Sequence, residues 1–229
     1  KYRPTTIDDI ILNDIIYKKI KAIIDTKQIT NIILTGASGL GKTSTIKCIA
    51  KHIYSKDNFN DAVLELNASD ERGIKTVTDI IINFSKKLVF YNEGYCNNKL
   101  IILDEADNLT KKAQSLINLV MEQYKNTKFV FICNNSNKII ETLQSKCIVI
   151  KFILPPFKSY YNKIKSICDK ENYVYDDDIF KYLFETFNND FRQILNILEL
   201  TFITFGSITI KNINLICDIP SDQLFEKLR

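Results

Sequence analysis

The residues with the clearest chemistry form a short glycine-rich segment that ends in a lysine and two hydroxyl side chains. The segment fits the pattern G-x-x-x-x-G-K-[ST] and reads Gly36-Ala37-Ser38-Gly39-Leu40-Gly41-Lys42-Thr43-Ser44. Such glycines let backbone N–H groups surround phosphates, while Lys42 would reach the β- and γ-phosphates and the Thr43 hydroxyl would ligate magnesium. An apolar run precedes the segment and a helical pattern follows it, so the sequence predicts a nucleotide-binding loop.

A pair of carboxylates follows the apolar run at residues 100–103. Asp104 would hold Mg²⁺, directly or through water, and Glu105 would orient and polarise the water that attacks the γ-phosphate in line. An acidic pair at the end of a strand can also be a solvated turn, but the loop upstream favours the catalytic interpretation. Together the two motifs predict a P-loop nucleoside triphosphatase that binds Mg²⁺.

Two further polar residues are candidates for sensing the γ-phosphate. Asn134 follows the next apolar run, where its amide could contact the γ-phosphate or hold the attacking water. In an Asn-rich chain such a residue also arises by chance, so Asn134 alone decides little. Arg192 opens a later helical pattern, from which a lid could present a cation to the phosphates.

The elements that must position these residues alternate along the chain as short apolar runs and helical patterns, which is typical of βαβ units around a parallel sheet. Strands are predicted at residues 31–35, 62–67, 99–104, 128–133 and 148–152, each apolar enough for burial on both faces. Helices are predicted at about 41–54, 74–88 and 111–124, and beyond Pro155-Pro156 at 160–171, 176–186 and 191–204. We therefore expect an α/β nucleotide-binding domain over residues 1–154 and a helical lid domain over 155–229.

Composition limits the other possibilities. The 229 residues are 45% hydrophobic and 25% charged, which indicates a compact globular protein and excludes a disordered chain. No apolar run approaches the roughly 18 residues of a membrane span. A net charge of +4 does not by itself indicate nucleic acid, and one histidine with six scattered cysteines disfavours a zinc site or a disulfide framework.

The motifs, taken in order, resemble one family over nearly the whole chain. The chain resembles the small subunits of replication factor C, the eukaryotic clamp loader of the AAA+ class, and is most similar to the type of the human second and yeast fourth small subunits. The residues that carry the resemblance are Lys1-Tyr2-Arg3-Pro4, the phosphate loop, Leu64-Glu65-Leu66-Asn67-Ala68-Ser69-Asp70-Glu71-Arg72-Gly73-Ile74, the Asp104 motif, Cys133-Asn134, Ile139-Ile140-Glu141 and Asp190-Phe191-Arg192-Gln193. The run at 64–74 is the most specific of them.

The resemblance implies a function and a set of partners. The chain would be an ATP-binding subunit of a nuclear heteropentamer that opens the sliding clamp, proliferating cell nuclear antigen, and loads it on primer–template DNA during replication. Asn134 would be the first sensor and Arg192 the second, and the residues expected to line the adenine and ribose pocket are Tyr2, Arg3, Ile10 and Ile11. The collar domain that assembles five subunits is expected to be absent from this sequence.

Two departures from the family affect the expected activity. The arginine that reaches a neighbouring subunit's ATP is replaced by Lys146, which keeps the charge but lacks the planar fork that bridges phosphate oxygens. Positions that are basic in the family on two DNA-facing helices carry Thr78, Ile80, Ile82, Asn118 and Leu119. We therefore expect weaker DNA contacts than the family norm, although lysines remain nearby at Lys75, Lys86, Lys87, Lys111 and Lys112.

Alternatives stay open at this point. The chain could be a non-hydrolysing scaffold subunit of the same complex or of a checkpoint variant, although the intact Lys42, Thr43 and Glu105 favour slow hydrolysis that depends on neighbours. An origin-recognition or branch-migration protein of the same class lacks support from the run at 64–74. The apolar stretch Phe84, Leu88, Val89, Phe90 and Tyr91 could contact the clamp or could simply pack.

Overall fold

The computed structural model describes residues 4–69, 73–89, 91–187 and 190–218. The chain divides into two compact units, Lys1–Ile153 and Leu154–Arg229. Within the described residues, no helix combines the length and apolar character that a membrane crossing requires.

A five-stranded parallel sheet forms the centre of the first unit. Its strands have the order β2-β3-β4-β1-β5 and span Ile32–Thr35 (β1), Val63–Asn67 (β2), Lys99–Asp104 (β3), Thr127–Cys133 (β4) and Ile148–Lys151 (β5). β4 lies between β1 and β3, so the segments that follow these three strands emerge next to one another. Parallel strands end at the same edge of the sheet, which therefore collects the phosphate loop, the carboxylates and Asn134.

Helices cover both faces of this sheet. They span Asp14–Thr26 (α1), Lys42–Ile53 (α2), Phe59–Ala62 (α3), Gly73–Lys86 (α4), Lys111–Gln123 (α5) and Glu141–Gln144 (α6). Alternate residues of β1 point into two separate apolar clusters: Ile32 packs with Ile46 of α2, and Ile33 packs with Ile117 of α5. The two layers of helices explain why the central strands are apolar throughout.

The expected burial of every strand on both faces is wrong for the two edge strands. β3 is buried along its length apart from its last residue, whereas Glu65 of β2 is exposed and Ile148 and Val149 of β5 are 55% and 42% exposed. An edge strand has a neighbour on one side only, and the helical layers cover it less completely than the middle of the sheet.

The second unit is helical. Its helices span Phe157–Lys170 (α7), Ile179–Thr186 (α8), Phe191–Phe205 (α9) and Ile210–Ile216 (α10), and an isolated bridge joins Tyr175 to Ile208. Asp190 caps α9 by accepting hydrogen bonds from the backbone N–H groups of Arg192 and Gln193, at 3.0 and 3.2 Å. The bundle core is rich in aromatic contacts, such as the edge-to-face pair of Tyr161 and Phe180.

Candidate nucleotide-binding site

The glycine-rich loop connects β1 to α2 and depends on glycine at two positions. Gly36 has φ +147°, and a Cβ there would lie 2.5 Å from the Phe152 carbonyl oxygen. Gly41 caps α2 with φ +83°, where a Cβ would lie 3.1 Å from Cγ2 of Ile10. Side chains larger than hydrogen would therefore change the path of the loop, which leads into the amino end of α2, and that end of a helix favours anions.

Lys42 lies inside this loop with its side chain buried. Its ammonium donates hydrogen bonds to the carbonyl oxygens of Gly36 (2.7 Å) and Ala37 (2.8 Å) and to Oδ1 of Asn134 (3.1 Å). Two of the residues predicted for phosphate contact, Lys42 and Asn134, thus meet although they are 92 positions apart in sequence.

Thr43 and Asp104, the two residues expected to hold magnesium, contact each other. The Thr43 hydroxyl donates to Oδ2 of Asp104 at 2.9 Å, and Oδ1 of Asp104 accepts from the backbone N–H of Glu105 at 2.9 Å. A hydroxyl next to a carboxylate provides the hard oxygen ligands that Mg²⁺ prefers. The pair therefore fits the metal that the sequence implies.

Glu105 has a left-handed backbone conformation, with φ +54°, and an exposed side chain. Its Oε2 contacts the Ser69 hydroxyl and accepts from Nδ2 of Asn108 at 3.3 Å. The sequence motifs predicted no role for Ser69 or Asn108. The sequence offered one signal for Ser69, its place directly after the predicted strand at 62–67. In the structure Ser69 follows β2, the strand next to β3, and Ala68 N–H donates to the Asp104 carbonyl at 2.8 Å.

Other predicted binding residues occupy different surroundings. Leu40 packs into the apolar core, so only its backbone remains for a nucleotide, whereas Ser44 is half-buried in the first turn of α2. Ile10 is buried beside Gly41, and Ile11 is half-buried. Tyr2 and Arg3 lie outside the described residues.

Lys146 and Arg192, the two proposed cations, occupy separate units. Lys146 follows α6, and its ammonium donates to Oδ1 of Asn118 (2.7 Å) and to the carboxylate of Glu122, both on α5. Next to it, burial raises the pKa of the Cys147 thiol to about 12. Arg192 lies in the first turn of α9 with an exposed side chain.

The positions expected to face DNA or the clamp differ widely in exposure. Thr78 is buried, so it does not lie on a surface that DNA could reach, whereas Leu119 is 58% exposed. In the apolar stretch that begins in the last turn of α4, Leu88 is 88% exposed. The other described members of that stretch pack against the two apolar clusters: Phe84, Val89 and Tyr91. Phe90 lies outside the described residues, as do the side chain of Lys75 and the segment Asp70-Glu71-Arg72.

Comparison with known proteins identifies the chain's relatives. Residues 32–155 match the model of the ATPase family associated with various cellular activities (AAA). The whole chain is 37% identical to a protein of Acanthamoeba polyphaga mimivirus named as a replication factor C small subunit, and 34% identical to replication factor C subunit 4 of Saccharomyces cerevisiae, covering 70% of each. Over 210 residues, 91% of the chain, it is 37% identical to human replication factor C subunit 5, covering 61% of that protein.

The structural comparison supports the fold. The chain is similar to the RuvB Holliday junction branch migration motor of Thermotoga maritima, with a TM-score of 0.69 over 95% of this chain and 72% of that one, at 16% identity. At this identity the likeness is one of fold alone. The relatives include subunits numbered 2, 4 and 5, so the type of small subunit stays a prediction. The matching AAA model and the identity over the full length of the chain show that it belongs to the AAA ATPases and, among them, to the replication factor C small subunits.

Proposed function

We propose that this chain is the ATP-binding subunit of a heteropentameric clamp loader that opens proliferating cell nuclear antigen and loads it on primer–template DNA in the nucleus. The observation that carries the proposal is the convergence of Lys42, Thr43, Asp104 and Asn134 at one edge of the sheet, in a chain of this family. The other replication factor C subunits are its proposed partners.

Each site residue has a proposed task in ATP binding and hydrolysis. Lys42 would exchange its carbonyl partners for the β- and γ-phosphates, and Asn134, already in contact with it, would hold the γ-phosphate or the attacking water. Thr43 and Asp104 would hold Mg²⁺, which when bound neutralises charge on the phosphate oxygens. Glu105 would orient the attacking water after giving up its contact with Ser69.

Activation is proposed to depend on cations outside the loop. Arg192 would act from the lid as the second sensor of the γ-phosphate, and Tyr2, Arg3, Ile10 and Ile11 would hold the base and ribose. Lys146 would serve the ATP of the neighbouring subunit, although a lysine lacks the bidentate geometry of arginine. Slow hydrolysis by the isolated chain follows, because its own γ-phosphate awaits a neighbour's cation.

The contacts with the clamp and the DNA are proposed to be unequal. Leu88, exposed after α4, would contact the clamp. The positions on α4 and α5 that are basic in the family but uncharged here would contribute little to DNA binding. We expect this subunit to hold DNA more weakly and with a shallower salt dependence than an all-basic relative.

A scaffold subunit is the second candidate, and the pairing of Lys146 with Glu122 is the observation that favours it, since the pairing offsets the charge needed by a neighbour. Glu105→Gln in this subunit alone, within the assembled complex, separates the two functions. We expect a loss of phosphate release at this site. The matched control is Glu93→Gln, an exposed carboxylate in the segment before β3. Unchanged phosphate release in the Glu105 variant would support the scaffold instead.

A further inference from the structure

A buried lysine lies at the end of β3 away from the nucleotide site. Lys99 is 5% exposed, and its ammonium donates to the carbonyl oxygens of Phe84 (2.6 Å), Ser85 (3.0 Å) and Lys87. An ammonium has three N–H donors, so all three are used. The side chain of Lys99 therefore binds backbone carbonyls at the carboxyl end of α4 and just after it.

This arrangement stabilises the last turn of α4. The final carbonyls of a helix have no partners within the helix, and a cation is favoured at that end by the helix dipole. Burial lowers the pKa of Lys99, and the nearby charge of Lys87 lowers it further, whereas the three carbonyl oxygens are the partners that favour the charged form. Without them a buried ammonium would be unstable.

The backbone that Lys99 holds carries Leu88, a side chain 88% exposed to solvent. Fixed contacts lie on both sides of it: Lys87 pairs with Asp61, and Val89 packs against an apolar cluster. An exposed leucine on a fixed backbone loses little entropy when a partner covers it. Such a residue is suited to act as an anchor in an interface.

We propose that Lys99 is a positioning residue for clamp binding, which fixes the carboxyl end of α4 so that Leu88 enters an apolar pocket on the clamp. The inference rests on the proposed function above. Lys87 is paired with Asp61, but Lys86 is exposed two residues before Leu88, so the rim of the partner's pocket is expected to be acidic on that side.

Clamp affinity of the assembled complex tests the proposal with three single variants of this subunit and with the double variant Lys99→Met, Leu88→Ala. Lys99→Met should weaken clamp binding about tenfold and leave ATP affinity within about twofold, whereas Lys99→Arg should restore most of the loss because it keeps the donors. Leu88→Ala should weaken clamp binding as much, and the double variant should be little weaker than Leu88→Ala alone, since Lys99 acts through Leu88. Lys128→Met is the matched control, because its ammonium donates to one carbonyl, that of Lys125.

The outcomes distinguish the inference from the proposed function. Unchanged clamp affinity in Lys99→Met, with a clear loss in Leu88→Ala, would overturn the positioning role and leave the clamp contact in place. Unchanged affinity in Leu88→Ala would overturn the clamp contact itself, and the inference with it. Amide hydrogen exchange at residues 87–89 should accelerate in Lys99→Met, and unaltered exchange would also contradict the proposal. If the methionine variant does not fold, Lys99→Gln, which keeps two donors, takes its place.

Discussion

Ser69 holds the candidate catalytic glutamate in its observed position. Its Oγ lies 2.7 Å from Oδ1 of Asn67 and also contacts Oε2 of Glu105. A hydroxyl has a single proton, so Ser69 can donate to only one of these oxygens at a time. When it donates to Glu105, it occupies a carboxylate oxygen that would otherwise be available to bind water.

Replacing Ser69 with alanine should therefore raise ATP hydrolysis. We expect Ser69→Ala to increase the turnover of the assembled complex by roughly two- to fivefold, the scale of one exposed hydrogen bond, with ATP affinity unchanged. Steady-state phosphate release and nucleotide titration measure both quantities. Ser115→Ala, an exposed serine on α5, is the control, and a lower turnover in Ser69→Ala would show that Ser69 assists the reaction.

The pairing of Lys146 with Glu122 leads to a second prediction at this scale. Lys146→Arg should raise hydrolysis at the adjoining subunit's site by about tenfold, because a guanidinium can keep Glu122 on one edge and still present two parallel donors to a phosphate. Single-site turnover in the assembled complex is the measurement. Lys112→Arg, on the exposed start of α5, is the control, and no gain in the Lys146 variant would mean that this residue does not reach a neighbour's nucleotide.

At the scale of elements, Gln114 joins α5 to the chain that follows β4. Its side chain is 1% exposed, and its Nε2 donates to the carbonyls of Leu109 and Lys138, each at 3.0 Å. Its Oε1 accepts from the backbone N–H of Ile140 at 2.8 Å. This one amide satisfies three backbone groups, one just before α5 and two in the segment between β4 and α6.

Gln114→Leu should destabilise the protein strongly. A leucine of similar size leaves three backbone groups without partners, and we expect a loss of about 3 kcal/mol in the free energy of unfolding. Urea unfolding measures this loss. Gln123→Leu, exposed at the end of the same helix, should change stability by less than about 0.5 kcal/mol, and equal effects in the two variants would contradict the assigned role of Gln114.

The sequence predicted the central elements and the meeting of Lys42, Thr43, Asp104 and Asn134, because continuous apolar runs and the motif spacing determine where parallel strands end. It did not predict α1, although Asn13 caps that helix and Ile16 and Ile20 form its buried face. The hydrophobic pattern also did not predict that Lys99 is buried, since a lysine is normally exposed and its three carbonyl partners come from another part of the chain.

At the scale of the whole molecule, alkaline pH should destabilise both units. Burial raises the pKa of Cys147 in the first unit and of Cys168 in the second to about 12, and the pKa of Tyr160 also to about 12. Unfolded, these groups ionise near their ordinary values, so the stability that their neutral forms contribute is complete below about pH 9 and is lost as pH rises toward 12. Lys99 acts in the opposite sense, because its pKa is lowered in the folded state and unfolding takes up a proton between that lowered pKa and 10.5.

The midpoint of thermal unfolding should therefore fall steadily between about pH 9 and pH 12. Cys168→Ala should make the decline shallower, because it removes one of the titrating groups. Cys217→Ala, at a half-buried thiol, should change the slope less. A midpoint that stays level over this range would contradict the expected titration.

β3 also sets a distance between two parts of the molecule. Lys99 opens the strand and Asp104 closes it, with four buried residues between them. At about 3.3 Å per residue, the two ends are roughly 17 Å apart, and a strand that is hydrogen-bonded on both sides cannot shorten. Because β2 and β4 pair with β3 along its length, both neighbours would resist a displacement of Asp104 along the strand, and β3 would act as a rigid spacer between the ATP phosphates and the segment that carries Leu88.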